Sequence, residues 1–214
     1  MRYIVLSVLI VSQWATSTAQ TLPERPVQYS LKAGVNLSTL TGGICNDAMC
    51  VRDFTRKIGP LVGVSLTARA STVFSLSTEL YFTEKGARGE ELYHGNTWQW
   101  TVTERYLELQ VLGVVSPRRR SGGAALRFVF GPAVGLKLLD RTAYEVAETG
   151  ETGGWQSSPE SFSWSVVLGG SVDFRFAGLP LSLDLRYLLG RTARDRAGEV
   201  KDRALSVIFG YRFR

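Results

Sequence analysis

The residues able to do chemistry are few and scattered. His94 is the only histidine, set in Glu90-Glu91-Leu92-Tyr93-His94-Gly95. A Ser-His-acid hydrolase needs a nucleophile and an acid within hydrogen-bond reach of that ring, and the flanking residues single out neither. A zinc site of usual composition needs more nitrogen and sulfur ligands than one histidine and two cysteines offer. His94 therefore reads as an exposed loop residue. Glu79 and Glu108 invite a general acid–base pairing, but the nearby pattern makes them partners for interior arginines. The acids Asp140, Glu145, Glu148, Glu151 and Glu160 are irregularly spaced and lack the D-x-[DN]-x-[DN]-G calcium pattern. They read as solvated loop charge. No catalytic residue, metal site or cofactor is expected.

Two other groups can bind rather than react. Trp98, Trp100, Trp155 and Trp164, with Tyr93, could form a platform for sugar or protein. The favoured reading is the interfacial aromatic girdle of a membrane barrel. Cys45 and Cys50 enclose only Asn46-Asp47-Ala48-Met49. In an oxidising compartment this pair predicts an intraloop disulfide. The closed loop is short, so the expected stabilisation is only about 2 kcal/mol.

The compartment follows from the N-terminus. Arg2 precedes an apolar core from Ile4 to Val11, and Ser17-Thr18-Ala19 is a small-x-small cleavage site. Residues 1–19 thus read as a secretory signal peptide and residues 20–214 as one mature domain. Cleavage takes the basic count from 25 to 24 against 19 acids, a net charge of +5. The densest basic run, Arg118-Arg119-Arg120, stands in no recognisable nucleic-acid module, and no nucleic acid is expected as a partner.

Beyond Tyr29 the dominant period is two, the mark of strands with one apolar face. Eight runs carry it. Tyr29 to Ser38 opens the series. Ile58 to Arg69 follows, with Leu61 out of pattern. Then come Phe74 to Thr83, Tyr106 to Val115 and Arg127 to Leu138. Phe162 to Phe176, Leu181 to Leu189 and Ala204 to Phe213 complete it. Connections alternate in length. Thr39 to Arg56, Lys85 to Thr101, Leu139 to Ser161 and Gly190 to Glu199 read as long loops. Ala70 to Thr72, Ser116 to Gly123 and Ala177 to Pro180 read as short turns. Long loops at one end and short turns at the other predict an all-β, eight-stranded antiparallel up-and-down transmembrane barrel. The loops holding His94 and Trp155 then face outward, and the Arg118-Arg119-Arg120 turn faces the periplasm.

Which face meets lipid follows from size. An eight-stranded lumen barely holds side chains. The face rich in Gly, Ser, Asp and Arg is small enough to sit inside, whereas the Phe, Trp, Tyr and Leu face is bulky. A soluble lipocalin-like ligand carrier would invert this. The expected interior set includes Lys32, Arg69, Glu79, Glu108, Arg127, Lys137, Asp173, Arg175, Asp184, Arg186 and Arg212. Both signs are present, as pairing of buried charge requires.

Several local patterns resemble one family. Glu79-Leu80-Tyr81-Phe82-Thr83-Glu84-Lys85-Gly86 is similar to its third strand. Tyr106-Leu107-Glu108-Leu109-Gln110 resembles its "YLEIP" strand, with Gln110 where Pro is usual. Phe130-Gly131-Pro132-Ala133-Val134-Gly135 resembles its "GPxxG" strand. Leu185-Arg186-Tyr187-Leu188-Leu189-Gly190 resembles its "RYxxGL" segment, with Arg191 where Leu is usual. The family is that of the PorT-like or OmpX-like small outer-membrane β-barrel proteins of Bacteroidetes-type bacteria. The resemblance implies the fold and an integral outer-membrane location. It implies no settled activity and supplies no catalytic residues.

The functional expectation is therefore a non-enzymatic barrel whose outer loops bind, adhere or stabilise the envelope. A lipid-modifying outer-membrane enzyme is the alternative. Expected partners are outer-membrane lipid, periplasmic chaperones, the barrel insertion machinery and an extracellular ligand of unknown chemistry. The insertion machinery would read the terminal aromatic strand, Phe209-Gly210-Tyr211-Arg212-Phe213-Arg214.

Overall fold

The computed structural model describes residues 27–41, 44–45, 50–51, 54–93, 95–117, 125–157, 162–194 and 198–213. The signal segment, His94 and the Arg118-Arg119-Arg120 run lie outside the described residues. No helix among them is long and apolar enough to cross a membrane.

Alternating residues give strands throughout. β1 spans Val27–Thr41, β2 Ile44–Cys45, β3 Cys50–Val51, β4 Phe54–Arg69, β5 Phe74–Tyr93 and β6 Asn96–Val115. β7 spans Ala125–Val146, β8 Thr152–Ser157, β9 Phe162–Phe176, β10 Leu179–Arg194 and β11 Gly198–Arg212. Eight of these close a ring: β1 pairs with β4 and β11, β6 pairs with β7, and β7 with β9. All pairings are antiparallel, so the sheet has no free edge at membrane depth, as spanning requires.

The two faces separate as the alternation predicts. Leu31, Val64, Leu80, Leu109, Val134, Leu168, Leu185 and Phe209 point outward and are exposed. Inward stand polar residues and a smaller apolar set. Leu112, Val129, Val167, Leu188 and Ala204 make one cluster, and Leu61, Tyr81 and Ile208 another. Leu61, out of place as an apolar residue on the inner face, is buried there at 5 % exposure. Neighbouring Pro60 lacks an N–H for the ladder. It lies where the β4–β5 register slips between Arg56 and Leu61, a position that tolerates proline.

The strands run further than the alternation alone suggests. Most of the expected loop Lys85 to Thr101 is strand: β5 and β6 pair out to Tyr93 and Asn96. Within Leu139 to Ser161, β7 continues to Val146 and turns into β8, which pairs with it from Asp140↔Ser157 to Glu145↔Thr152. β10 and β11 likewise pair out to Arg194↔Gly198. The loops are thus largely hairpins that prolong the barrel wall. Above Leu136↔Phe162, β7 leaves β9 and takes β8 instead. A four-stranded sheet of β5, β6, β7 and β8 therefore projects past the ring. Its tips are joined: Ala147 N–H donates to Thr97 carbonyl at 2.9 Å, and Thr97 N–H to the Glu148 carboxylate at 2.7 Å. The latter bond holds the Glu148 pKa below the usual carboxylate range. This link is present at neutral pH and is lost as pH falls through that lowered value.

At the opposite end the connections are short. Ala177 and Gly178 alone join β9 to β10, with φ of 50° and 80°. Positive φ at both positions is the hairpin geometry that matches strand twist, yet Ala177 bears a Cβ that this conformation penalises. Ala177→Gly is expected to stabilise the barrel by about 0.5–1 kcal/mol, the relief being partly offset by glycine's extra unfolded freedom. The check is the urea midpoint of the refolded barrel, read by the heat-modifiable gel shift. A lower midpoint would contradict it.

In the β2–β3 ladder, Cys45 is the backbone partner of Cys50. Their side chains lie outside what is described.

Candidate functional site: the filled lumen and the projecting aromatic sheet

The inward residues form connected tiers of charge. At the centre, Lys32 Nζ lies 2.9 Å from both Glu79 Oε1 and Asp184 Oδ2. Arg186 reaches Glu79 Oε2 at 2.8 Å and Asp184 Oδ2 at 2.6 Å. Two cations thus meet two carboxylates from strands β1, β5 and β10. The remaining carboxylate valences are filled as well: Ser77 and Tyr81 hydroxyls donate to Glu79, and Ser171 donates to Asp184. Such closure is needed, because a buried charge lacking partners is strongly unfavourable.

Toward the long hairpins the network continues. Arg186 donates to Gln110 Oε1 at 2.9 Å, and Gln110 Nε2 donates to Glu108 Oε1 at 2.7 Å. Lys85 bridges Glu108 at 2.6 Å and Asp202 at 3.6 Å. Lys137 bridges Glu104 at 2.8 Å and Asp140 at 3.0 Å. The Tyr106 ring receives both lysines, 5.4 and 5.7 Å from its centroid. Above this tier sit buried Leu40, Ala87 and Val102, with Phe54 packed against them. Toward the short turns, Asp173 is shared by Arg127 and Arg212, and Arg127 also donates to Ser171 Oγ at 3.1 Å. The lumen is packed with paired side chains, as eight strands permit little else.

Most of the interior set predicted from alternation converges here: Glu79, Glu108, Arg127, Asp173, Asp184, Arg186 and Arg212, with Lys32 and Lys137. Arg69 and Arg175 do not join. Both share the inward parity but stand exposed at strand ends beside the short turns, Arg69 at the rim of the lumen mouth and Arg175 beside the β9–β10 turn. Lys57, Glu84, Lys85, Glu104 and Asp202 are interior or near-interior charges that the sequence reading left out, and Asp140, expected to be solvated loop charge, is instead buried beside Lys137 because β7 runs on past Leu139. The signal was available: Lys85 continues Glu79-x-Tyr81-x-Thr83 in step.

The tryptophans divide. Trp164 lies on the outer face of β9, exposed beside Phe162 and Val166, where a girdle residue would be. Trp98 and Trp100 lie on the inward face of the projecting sheet, their rings stacked at 5.8 Å. Tyr144 contacts both, at 5.1 and 5.4 Å, and Trp155 meets Trp100 at 5.7 Å. Gly153 opposite Tyr144 makes this possible: a Cβ there would stand 2.4 Å from the Tyr144 ring. Trp155 is 46 % exposed, and the indole Nε1 donors of Trp98 and Trp100 have no partner among the described residues. No group of three or more His, Cys, Asp or Glu among the described residues is arranged to hold a metal ion.

No curated protein matches. Among solved structures, the attachment invasion locus protein Ail of Yersinia pestis is 12% identical, covering 88% of this chain and 100% of its own, with a TM-score of 0.40. Neisserial surface protein A is 12% identical over 86% of this chain and 97% of its own, at 0.45. OprG of Pseudomonas aeruginosa is 10% identical over 89% and 97%, at 0.43. Residues 16–191 match the family described as "Outer membrane protein beta-barrel domain". With a closed eight-stranded ring, an apolar outer face and that match, the chain belongs to the outer membrane protein β-barrel domain family and is an integral outer-membrane protein.

Proposed function

We propose that this is a non-enzymatic surface barrel of the PorT-like or OmpX-like kind, whose projecting sheet binds a partner outside the cell, in adhesion or in stabilising the envelope. One observation carries the reading. The lumen is occupied by its own side chains, while Trp98, Trp100, Tyr144 and Trp155 gather on a sheet that extends beyond the ring. Clustered rigid aromatics supply contact area at low entropic cost, which is why they anchor binding surfaces. Glu79 and Glu108, the acids suited to proton transfer, are committed to ion pairs.

The test compares intact cells carrying the wild type, the Trp155→Ala variant and no copy of the gene. Retention is measured on arrays of immobilised glycans and matrix proteins. Wild-type cells should be retained on at least one surface, and Trp155→Ala should lose most of that retention at equal barrel abundance. Equal retention of all three strains, together with equal detergent resistance, would contradict the reading. A mass change in lipid A that depends on the gene would instead favour the lipid-modifying enzyme.

Cys45 and Cys50 belong to the same proposal as a disulfide that stiffens one outer hairpin, supported by their opposed backbone positions. Alkylation of envelope protein without reductant should label neither thiol. Two labelled cysteines would show that the bridge is absent. Chaperones and the insertion machinery are the proposed assembly partners. The feature they would read is the terminal aromatic strand, where Phe213 packs edge-on against Tyr211 and its N–H bonds Tyr29 carbonyl.

A further inference from the structure

We propose that the short-turn mouth of the lumen is an anion site that takes one phosphate-sized oxyanion between Arg69 and Arg127. This inference is independent of the projecting sheet. A cavity of about 90 Å³ opens at that end, lined by Arg69, Arg127, Arg212, Asp173, Gln28 and Ser75. At about 30 Å³ per water, it holds some three waters or one tetrahedral oxyanion. Among the described residues its lining has three guanidinium groups, of Arg69, Arg127 and Arg212, and one carboxylate, of Asp173. Among the described residues, the other charged tiers of the lumen have at least as many acids as bases, apart from the pair of Lys57 and half-exposed Arg105 around Glu84.

Arg69 has no carboxylate in salt-bridge range among the described residues and stands exposed at the rim. Arg127 bonds Asp173 and Ser171 through one nitrogen, and its buried Nε has no hydrogen-bond partner. Guanidinium forks suit phosphate oxygens, and charge-assisted bonds are the stronger class. Ser75 and Gln28 add neutral polar groups on the wall. Behind the mouth only a void of about 10 Å³ remains, lined by Ser30, Ser171, Ser182, Lys32 and Arg186 among others. The field at the opening is thus positive, and the groups deeper inside are already paired. In barrels of this class the short-turn end faces the periplasm. The oxyanion is then either free phosphate there or the phosphate of an inner-leaflet headgroup.

The experiment uses the full mature chain refolded in zwitterionic micelles, in phosphate-free buffer of low ionic strength. Inorganic phosphate is titrated by calorimetry. In a second arm, phosphatidylglycerol is doped into the same micelles and bound lipid is counted by native mass spectrometry. One saturable site is expected. Arg69→Gln should weaken it about tenfold, the loss of one charge-assisted contact. Arg127→Gln should weaken it at least as much, and Arg105→Gln at the far end should leave it unchanged. Arg69 is exposed, so its variant reports binding even where Arg127→Gln fails the heat-modifiable shift. Saturable phosphate binding that Arg69→Gln weakens supports the site with a soluble ligand. Binding of phosphatidylglycerol alone, weakened in the same way, supports it with a headgroup ligand. Absence of saturable binding in both arms, or binding indifferent to Arg69→Gln, would overturn the proposal.

Discussion

Replacing Arg186 with alanine is expected to destabilise the barrel by about 3–5 kcal/mol, the cost of breaking a buried ion pair from one side. Arg186 is 1 % exposed and bonds Glu79, Asp184 and Gln110 at once. Without it, Lys32 alone faces two buried carboxylates. The cost therefore comes from leaving charge unpaired. Adding Glu79→Gln to Arg186→Ala removes one of those carboxylates and should restore part of the loss. Arg175→Ala is the comparison. Arg175 shares the inward parity but is exposed beside the β9–β10 turn, so its loss should stay within about 0.5 kcal/mol. Urea titration of the refolded protein in vesicles, read by the heat-modifiable shift, measures all three. Equal midpoints for Arg186→Ala and Arg175→Ala would show that the central tier does not hold the barrel.

Leu185→Arg should cost about 2–4 kcal/mol, the price of arginine on a lipid-facing midplane position. Leu185 is 53 % exposed in the middle of β10, paired with Val207 on one side and Gly170 on the other. More than half of its surface is uncovered by protein, so the penalty would come mainly from the surrounding medium. Leu185→Ile, which keeps the apolar surface, should be tolerated. On a soluble barrel the same arginine would be a surface change worth no more than about 0.5 kcal/mol. Folding yields of the two variants in vesicles therefore distinguish lipid from water at that face, and equal yields would place the face in water.

The strand faces were legible because each strand is two-sided: a period of two sorts side chains wherever one face is solid and the other meets a different medium. Size then assigned the faces, since Phe, Trp and Leu cannot all enter so narrow a lumen. Strand length was not legible in the same way. Lys85-Gly86-Ala87-Arg88-Gly89-Glu90 has the composition of a loop, yet it is strand because β6 pairs with it residue by residue. Of its charges Arg88 and Glu90 stay exposed, but Lys85 is buried by its position. Lys85 is closed in by Glu108 and Asp202, from strands far apart in sequence. That meeting depends on barrel closure, which no local pattern encodes. β8 was hidden for a related reason: Thr152-Gly153-Gly154-Trp155 is poor strand sequence, and only the free edge of β7 recruits it.

The tryptophans show a signal that was present but unread. Trp98 and Trp100 fall in step with Glu104, Tyr106 and Glu108 along β6, the inward set, whereas Trp164 falls in step with Phe162 and Val166. Parity alone separates them. Their convergence with Tyr144 and Trp155 still required the β6–β7–β8 register. Arg175 marks the reverse error, parity carried past the point where the wall encloses anything, whereas Arg69 stands exposed at the rim of the short-turn cavity.

The central claim is that the bulky face of every strand meets lipid and the other face fills the lumen. Methyl-labelled protein in bicelles of protonated lipid tests it with no substitution at all. Nuclear Overhauser contacts from acyl chains should reach the methyls of Leu183, Leu185 and Leu205, which are exposed on the outer face. None should reach Val167, Leu188 or Ile208, which are buried within. Acyl contacts to the second set, with water contacts to the first, would contradict the account.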